Sequence, residues 1–208
     1  MEQLPLFGSP GLAADVLPLG LSYEPDFLTR SEEAGLIELV SALPLAPARY
    51  KGYTARRRVL SYGGSFDYDV NRLRSAPGLI PELHCLRERV ARQLSVPPQS
   101  LEHVLVAEYR PGTPLGWHRD VPEFEMVAGV SLGSPAVLRF RPYPPARGRR
   151  ADVLELKVAP RSLYILRGAA RWAWQHGVAP APALRWSITF RTLRQGAADR
   201  PFLSRQTC

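Results

Sequence analysis

The spacing of apolar positions predicts two helices in the first half of the chain. Leucine, isoleucine and valine recur at helical intervals in residues 29–43 and again in residues 81–94. Thr29 and Glu32 have the spacing of a capping box, in which each side chain hydrogen-bonds the other residue's backbone N–H. Pro44 ends the first helix, because proline cannot continue a helical hydrogen-bond ladder.

Beyond residue 100 the pattern changes to short β-rich segments separated by turn residues. No long helical period interrupts them. The segments are LEHVLVAEY, MVAGVSLG, AVLRFRPY, DVLELKVA, SLYILRG and LRWSITFRTL. Helices followed by a series of strands indicate an α+β chain, mainly β, whose strands form an antiparallel double-sheet core such as a jelly roll.

One domain preceded by a short extension accounts for this pattern. Residues 1–22 are rich in proline, glycine and leucine, so we expect an extended segment there. Residues 23–208 follow as a single domain, with helices and an aromatic loop in 23–100 and the strand core in 101–195. No apolar run approaches the ~20 residues that a membrane-spanning helix needs.

Charge and cysteine content narrow the class of protein. The net charge of +8 suits a polyanion such as nucleic acid, because neutralised phosphates release counterions. The arginine-rich composition of a GC-rich genome produces the same excess without such a partner. Cys85 and Cys208 make no disulfide framework, and the N-terminus lacks the basic stretch and apolar core of a secretory signal, so we expect a reduced, cytoplasmic protein. We also expect a monomer without membrane attachment.

The stretch YRPGTPLGWHRDVPEFE holds the first candidate for chemistry. His118 and Asp120 are two apart, and residues two apart on a strand share a face, so both could bind one metal ion. A protein kinase catalytic loop also contains His-Arg-Asp, but it has asparagine five positions after the aspartate, where this chain has Glu125. The kinase interpretation is therefore excluded.

A metal site needs a third ligand, and the chain has three further histidines. His84 on the second helix fits a surface position, and His103 within a strand fits a structural role. His176 in WAWQHGVAP, where a strand-like run meets a glycine turn, is the best-placed third ligand. Two histidines and one carboxylate leave coordination positions open, as in non-haem iron(II) oxygenases, although a zinc hydrolase can use the same ligands.

The segment RWSITFR places two arginines on one face of a predicted strand. Arg185 and Arg191 are six apart, and Ser187 lies between them on the same side. Two guanidinium groups inside a barrel need an anion, because an unpaired buried charge is costly. A carboxylate side chain or a small dicarboxylate ligand would both satisfy them.

These motifs occur in a recognisable order. Tyr109, His118-Arg119-Asp120, His176-Gly177 and the segment Arg185 to Arg191 together resemble the AlkB family of 2-oxoglutarate- and iron(II)-dependent dioxygenases. The resemblance covers residues 101–193. It implies a double-stranded β-helix (jelly-roll) core with the N-terminal helices packed on it, and iron(II), 2-oxoglutarate and dioxygen as cofactor and cosubstrates.

The resemblance also implies roles for individual residues. His118, Asp120 and His176 would ligate the iron, while Arg185 and Tyr109 would hold the distal carboxylate of 2-oxoglutarate. Two more residues would complete the cosubstrate pocket, Arg191 near the chelating end and Ser187 as a lesser contributor.

The implied reaction is oxidative demethylation of an alkylated base in DNA or RNA, with release of formaldehyde, succinate and carbon dioxide. The base must be flipped out or single-stranded to reach a buried metal. The family's nucleotide-recognition lid comes from the N-terminal region, which here contains the aromatic segment YTARRRVLSYGGSFDYDV (residues 53–70). Its candidate substrate contacts are Arg58, Tyr62, Phe66 and Tyr68. A hairpin with inward-facing aromatic side chains and solvated arginines is the alternative.

Two positions depart from the family pattern. Ala107 stands where an asparagine often precedes the family tyrosine by two residues. Glu123 follows Val121-Pro122, where several demethylases carry an acid that recognises the damaged base. The base, and the choice between DNA repair, tRNA modification and protein hydroxylation, therefore stay open. A jelly-roll binding protein without catalysis is a further alternative.

The segment from Gln3 to Phe7, Gln-Leu-Pro-Leu-Phe, resembles the short peptide with which bacterial replication and repair proteins bind the sliding clamp. In such a peptide Leu6 and Phe7 would enter an apolar pocket and Gln3 would hydrogen-bond at its rim. An N-terminal segment that packs its leucine and phenylalanine on its own domain is the alternative.

Overall fold

The computed structural model describes residues 17–50, 52–67, 72–145 and 153–194, and only the backbone of residues 65, 67 and 72–74. Its strands are, in chain order, β1 (Leu21–Glu24), β2 (Ala46–Tyr50), β3 (Tyr53–Tyr62), β4 (Gly64–Asp67), β5 (Arg72–Ser75), β6 (His103–Tyr109), β7 (Leu115–His118), β8 (Phe124–Gly133), β9 (Ala136–Pro142), β10 (Leu154–Val158), β11 (Leu163–Leu166), β12 (Trp174–Val178) and β13 (Arg185–Leu193). The helices are α1 (Arg30–Ala42), α2 (His84–Leu94) and α3 (Gly168–Trp172).

Two antiparallel sheets form the core. The larger sheet has the order β1-β11-β8-β13-β6-β3-β2, and the smaller has the order β10-β9-β12-β7. A separate two-stranded ribbon consists of β4 and β5. The crossovers between non-consecutive neighbours are those of a jelly roll, so the predicted fold class, mainly β with N-terminal helices, is confirmed.

Helices α1 and α2 cover the outer face of the larger sheet. Their buried residues, among them Val40, Leu86 and Val90, share one apolar core with sheet residues such as Val106 and Ile188. A second apolar core lies where β9 and β10 face the larger sheet. The space between the sheets at the β7 and β12 end is left for the site described below.

Both predicted helices are confirmed at their N-terminal ends. The Thr29 hydroxyl accepts from the Glu32 backbone N–H at 3.2 Å, and the Thr29 backbone N–H donates to the Glu32 carboxylate at 2.7 Å, which completes the capping box. The second predicted helix starts with a single 3-10 turn at Pro81–Leu83 before α2. Proline at this position lacks only an N–H that has no partner in a first turn.

The structure also has strands that the apolar pattern did not predict. β1 pairs with β11, so the domain boundary predicted after residue 22 falls inside a strand. β2 and β7 are short and carry few apolar residues in alternation, which left them without a strand signal. Within the described residues, no helix is both long and apolar enough to cross a membrane.

Candidate metal centre

Strand pairing brings the three predicted ligands together. His118 ends β7 and His176 lies in the middle of β12, and the two are direct partners in the antiparallel register. Their ring centroids are 4.3 Å apart. Asp120 follows two residues after His118, and one ligand atom of each of the three lies within 4.8 Å of the others. Residues 58 positions apart in the chain therefore form one cluster.

Hydrogen bonding fixes how His118 presents its ring. Its Nδ1 lies 2.9 Å from the Gly116 carbonyl, and a carbonyl can only accept, so Nδ1 carries the proton. The lone pair on Nε2 is then left for a metal ion. The His176 Nε2 lies 3.5 Å from Asp120 Oδ2.

The two carboxylate oxygens of Asp120 differ: one is hydrogen-bonded and the other is not. Its Oδ1 accepts from the Arg191 Nε at 2.7 Å. Its Oδ2 is buried and has no hydrogen-bond partner among the described residues. Burial opposes ionisation, yet Arg191 and the other charged groups around the carboxylate together outweigh it and hold the pKa of Asp120 well below its usual range. A buried, ionised oxygen without a donor is what a bound cation would satisfy.

The histidines of the cluster are held neutral. Burial lowers the pKa of His176 to about 3 and also lowers the pKa of His118. Neutral imidazole is the form that binds metals, so the site needs no proton release from these rings near neutral pH. With the unpaired Asp120 oxygen, the donor set fits an iron(II) ion and leaves open positions for further ligands.

His103 supports this cluster without joining it. Its Nδ1 accepts from the Arg191 Nη1 at 3.2 Å, and burial lowers the pKa of His103 to about 3. Arg191 therefore lies between a neutral histidine and the Asp120 carboxylate, and hydrogen bonds to both of them hold its guanidinium group in place. This placement agrees with the structural role expected for His103 from the sequence.

The segment that carries Asp120 is held by an arginine that the sequence analysis missed. Arg171 in α3 is buried, and its Nη2 donates to the carbonyls of Asp120, Val121 and Phe124 at 3.1, 2.7 and 2.9 Å. One guanidinium thus satisfies three backbone acceptors of a turn. No pattern in the sequence links residue 171 to residues 120–124, because the contact depends on the tertiary fold.

A second polar group lies deeper in the barrel on β13. Arg185 is buried, with 1% exposed, and donates from Nε to the Ser131 hydroxyl at 3.2 Å. Its Nη1 is buried without a partner among the described residues. The Tyr109 ring centroid is 5.0 Å from the Arg185 Cζ. A buried guanidinium nitrogen without an acceptor fits a carboxylate ligand such as the distal end of 2-oxoglutarate.

Tyr109 joins this group through its hydroxyl, which hydrogen-bonds the side chains of Arg57 and Ser187. Burial alone would raise the pKa of Tyr109, but the charges of Arg57 and Arg185, together with the hydrogen bonds from Arg57 and Ser187, lower it. Arg57 is adjacent to the predicted Arg58, and its role here was not predicted. It lies on the inner side of β3, two residues before Val59, which is the register partner of Ala107 on β6.

One cavity of about 450 Å³ joins the metal cluster to the Arg185 group. Its walls include Phe124, Leu138 and Val178 near the cluster, and its mouth includes residues of β2, β3 and β4. The described residues of the lining contain five arginines and a single carboxylate. These charged residues are Arg49, Arg57, Arg119, Arg185, Arg191 and Asp120.

Of the predicted substrate contacts, Phe66 lines the cavity. Arg58 does not, because β3 alternates and turns it to the opposite face, where it bonds the Leu45 carbonyl and Glu108. Tyr62 shares that face and is buried under the helices with 4% exposed. Glu123 lies outside the lining, and Tyr68 lies outside the described residues.

Comparison with known proteins decides the family. The family model described as the 2OG-Fe(II) oxygenase superfamily matches residues 20–191, which contain the whole cavity. The chain belongs to the 2OG-Fe(II) oxygenase superfamily. The oxygenase is accordingly an iron(II)- and 2-oxoglutarate-dependent dioxygenase, as the sequence resemblance implied.

Several proteins that are similar to the oxygenase have AlkB names. The oxygenase is 28% identical to the tRNA (carboxymethyluridine(34)-5-O)-methyltransferase alkbh8 of Xenopus tropicalis over 79% of this chain and 26% of that protein. It is 26% identical to the alpha-ketoglutarate-dependent dioxygenase AlkB of Escherichia coli over 67% of this chain and 66% of AlkB. These relatives confirm the AlkB-like resemblance.

Coverage of the relatives is partial. A mimivirus protein, L905, is 32% identical over 46% of this chain and half of its own length. The chain thus spans half or less of several curated relatives that it matches. Among solved structures, OsALKBH1 superposes with a TM-score of 0.64 at 17% identity, covering 83% of this chain and 98% of that one. That likeness concerns the fold.

Proposed function

We propose that the oxygenase removes alkyl groups from N-alkylated bases in DNA or RNA. Iron(II) with 2-oxoglutarate supplies the oxidising power, consuming dioxygen and releasing succinate and carbon dioxide. Hydroxylation of the carbon bound to nitrogen gives a hemiaminal, whose carbon–nitrogen bond then breaks to yield formaldehyde and the restored base. In this proposal His118, Asp120 and His176 would hold the iron, and Arg185 with Tyr109 and Ser187 would hold the cosubstrate.

The composition of the cavity mouth is the observation that carries this proposal. Arg49, Tyr50, Arg57 and Phe66 contribute to the lining, from the strands that precede the catalytic core. Aromatic rings are the groups on which an extruded base stacks, and guanidinium groups bind its phosphates. A mouth of this composition above a metal cluster supports a flat, phosphate-linked substrate.

The residues of the chain would act on such a substrate by orientation and exclusion. Arg191 keeps Asp120 ionised and aimed at the metal position, so the carboxylate need not reorganise during turnover. Apolar side chains at Phe124, Leu138 and Val178 line the cavity beside the cluster and limit access of water. The base would enter from the arginine- and tyrosine-containing side.

The charge of the cavity favours a second candidate, a neutral alkylated base in tRNA. Asp120 is the one carboxylate in the described lining, and it is already bound to Arg191. The predicted acid, Glu123, is not there to meet a positively charged lesion such as 1-methyladenine or 3-methylcytosine. Like charges in a confined site are costly, so a neutral base is favoured over a cationic one. A relative whose name refers to a tRNA uridine supports the same candidate.

Mass spectrometry of treated substrates tests both candidates. The purified oxygenase would receive iron(II), 2-oxoglutarate, air and an oligonucleotide bearing 1-methyladenine, 3-methylcytosine or N6-methyladenine, or unfractionated tRNA. Succinate formation would be followed in parallel, with Asp120→Ala as control. Loss of one methylene from an alkylated base supports dealkylation, and a preference for the neutral base supports the second candidate. Asp120-dependent succinate with every nucleic acid unchanged would refute both and favour a protein substrate.

The sliding-clamp peptide predicted at Gln3–Phe7 lies outside the described residues and stays a prediction. A labelled peptide of residues 1–12 would be titrated with purified clamp by fluorescence anisotropy. Binding that is lost on replacing Leu6 and Phe7 by alanine would support a repair role at replicating DNA. No anisotropy change would remove this partner from the proposal.

A further inference from the structure

The strands that carry the metal ligands present a different set of side chains on their outer face. His118 and His176 point into the barrel, so alternation turns Trp117 of β7 and Gln175 of β12 outward. On β9, Phe140 is buried beside His176, and its neighbours Arg139 and Arg141 are only half-buried. The smaller sheet therefore has a polar and aromatic exterior.

These outward residues are stacked on one another. The Cζ atoms of Arg141 and Arg139 lie 4.6 and 5.3 Å from the Trp117 ring centroid. A second arginine–aromatic pair lies nearby in the chain: the Arg119 Cζ lies 3.7 Å from the ring centroid of Tyr143. We call these five residues the cation–aromatic ladder.

The arginines of the ladder are oriented by hydrogen bonds and ring contacts, and Glu155 of β10 is the register partner of Arg139. Arg141 donates from Nε to the Gln175 side chain at 2.8 Å, and Arg119 donates to the Trp172 carbonyl at 3.0 Å. Within the described part of the chain, neither these two nor Arg139 has a carboxylate at ion-pair distance. A guanidinium stacked on a ring keeps its N–H edge available, so each can still bind an anion in a forked geometry.

The ladder leads to the cavity. Arg119 lies between the ligands His118 and Asp120 in the chain, and it lines the cavity as well as covering Tyr143. Arg139 and Arg141 are two residues apart on β9, a step of about 6.6 Å along a strand. That step is comparable to the distance between successive phosphates of an extended single strand, which favours nucleic acid over an acidic protein.

We infer that the cation–aromatic ladder binds the single-stranded nucleic acid flanking the base in the cavity, with Arg119, Arg139 and Arg141 on successive phosphates. This inference rests on the proposed function, because it requires a nucleic-acid substrate. It adds a binding surface on the smaller sheet, on the side opposite to the metal ligands of the same strands.

Salt-dependent binding of a fluorescein-labelled 12-nucleotide single strand tests the ladder. The double variant Arg139→Gln/Arg141→Gln is compared with Arg30→Gln/Arg92→Gln, which removes the same charge from exposed positions on the helix layer. Each phosphate contact in a single strand contributes about 0.7 to the slope of log K against log salt. We expect the ladder variant to lose about 1.4 from this slope and the helix variant to match the wild type.

A second variant separates stacking from charge. Arg141→Lys keeps the positive charge but cannot form a planar fork over Trp117, so we expect weaker binding with nearly the wild-type salt slope. Succinate formation with an alkylated mononucleotide should be unchanged in the Arg139→Gln/Arg141→Gln variant, because these two arginines do not line the cavity. Thermal unfolding of each variant checks that the fold is retained.

The outcomes distinguish this inference from the proposed function. If the wild type dealkylates the oligonucleotide and the ladder variant binds it with an unchanged slope, the ladder inference is wrong and the proposed function stands. If the wild type neither binds nor alters any oligonucleotide, both are wrong. If the variant loses affinity for poly-glutamate and not for the oligonucleotide, the surface binds an acidic protein, and the ladder inference is again wrong.

Discussion

At the scale of single residues, unsatisfied buried groups indicate what the cavity binds. Asp120 Oδ2 and Arg185 Nη1 are both buried without a partner in the described residues. Native proteins rarely leave such groups unpaired, because the loss of hydration costs about 1–3 kcal/mol for a neutral group and more for a charged one. One group accepts a cation and the other accepts an anion, which matches iron(II) and a dicarboxylate.

Replacing Arg185 should weaken 2-oxoglutarate binding. A hydrogen bond to a charged group is worth about 1.5–3 kcal/mol, so we expect Arg185→Gln to raise the KM for 2-oxoglutarate by about 10- to 100-fold. Arg185→Lys should fall between, since lysine keeps the charge and loses the fork. Steady-state succinate kinetics would measure this change. An unchanged KM in both variants would place the cosubstrate elsewhere.

His103 should make the metal-free protein sensitive to acid. Its pKa is lowered from 6.5 to about 3, so below pH 6.5 the unfolded chain binds a proton that the folded protein does not. Stability is therefore present above pH 6.5 and is lost as the pH falls toward 3. His103→Gln keeps an acceptor for Arg191 and cannot titrate. Between pH 7 and 5 the variant should lose about 2 kcal/mol less unfolding free energy than the wild type. Urea unfolding at both pH values would measure it, and equal losses would contradict this account.

At the scale of elements, the cluster depends on how closely β7 and β12 approach. Gly177 follows His176, and a Cβ there would lie 2.8 Å from the Leu115 carbonyl oxygen of β7. Any larger side chain must push the two strands apart and with them the two histidine ligands. Steric hindrance therefore explains why glycine follows the second histidine.

Gly177→Ala should accordingly weaken iron binding. Backbone overpacking of this kind typically costs about 1–3 kcal/mol, and we expect a lower midpoint of thermal unfolding together with weaker iron(II) binding in an anaerobic titration. Gly35→Ala is the matched control, because nothing lies within 4 Å of its Cβ position on α1. That control should be more stable by about 0.5–1 kcal/mol. Unaltered iron binding in Gly177→Ala would show that the strands tolerate separation.

The turn that carries Asp120 depends on α3 through Arg171. Arg171→Met removes the donor to three carbonyls and leaves them buried, so we expect loss of stability and about 10- to 100-fold weaker iron binding, as for other supporting groups around metal ligands. Arg171→Lys should not restore binding, because all three bonds come from Nη2 and a lysine ammonium ends one bond short of that position. Wild-type iron affinity in both variants would show that β7 alone positions Asp120.

At the scale of the whole molecule, the sequence pattern predicted those parts of the fold that depend on interactions between residues close together in the chain. The capping box at Thr29 and the strand runs after residue 100 follow from period and propensity. Strand period does not account for Asp120, because β7 ends at His118 and Asp120 lies in the turn after it. Contacts between distant segments do not follow from the pattern either, and Arg171 beneath the Asp120 turn is the clearest case. Its partners are backbone carbonyls, which leave no sequence signal.

The arginine run at residues 56–58 shows a second limit. Three identical residues give no indication of which one faces inward, because the phase of a strand is set by its pairing partners. Register with β6 turns Arg58 to Glu108 and leaves Arg57 facing Tyr109. The same strand phase turns Tyr62 away from the cavity and toward the helices. The cavity is therefore lined by Arg57 and Phe66 and not by Arg58 or Tyr62.

The most direct test of the whole account is an anaerobic titration of the protein with iron(II) and 2-oxoglutarate, followed by visible absorption. The wild type should develop a metal-to-ligand charge-transfer band that requires both additions. Asp120→Ala should abolish the band, and Arg185→Gln should shift its formation to higher 2-oxoglutarate concentration. A band of full intensity and unchanged 2-oxoglutarate dependence in both variants would show that the metal and cosubstrate bind outside this cavity.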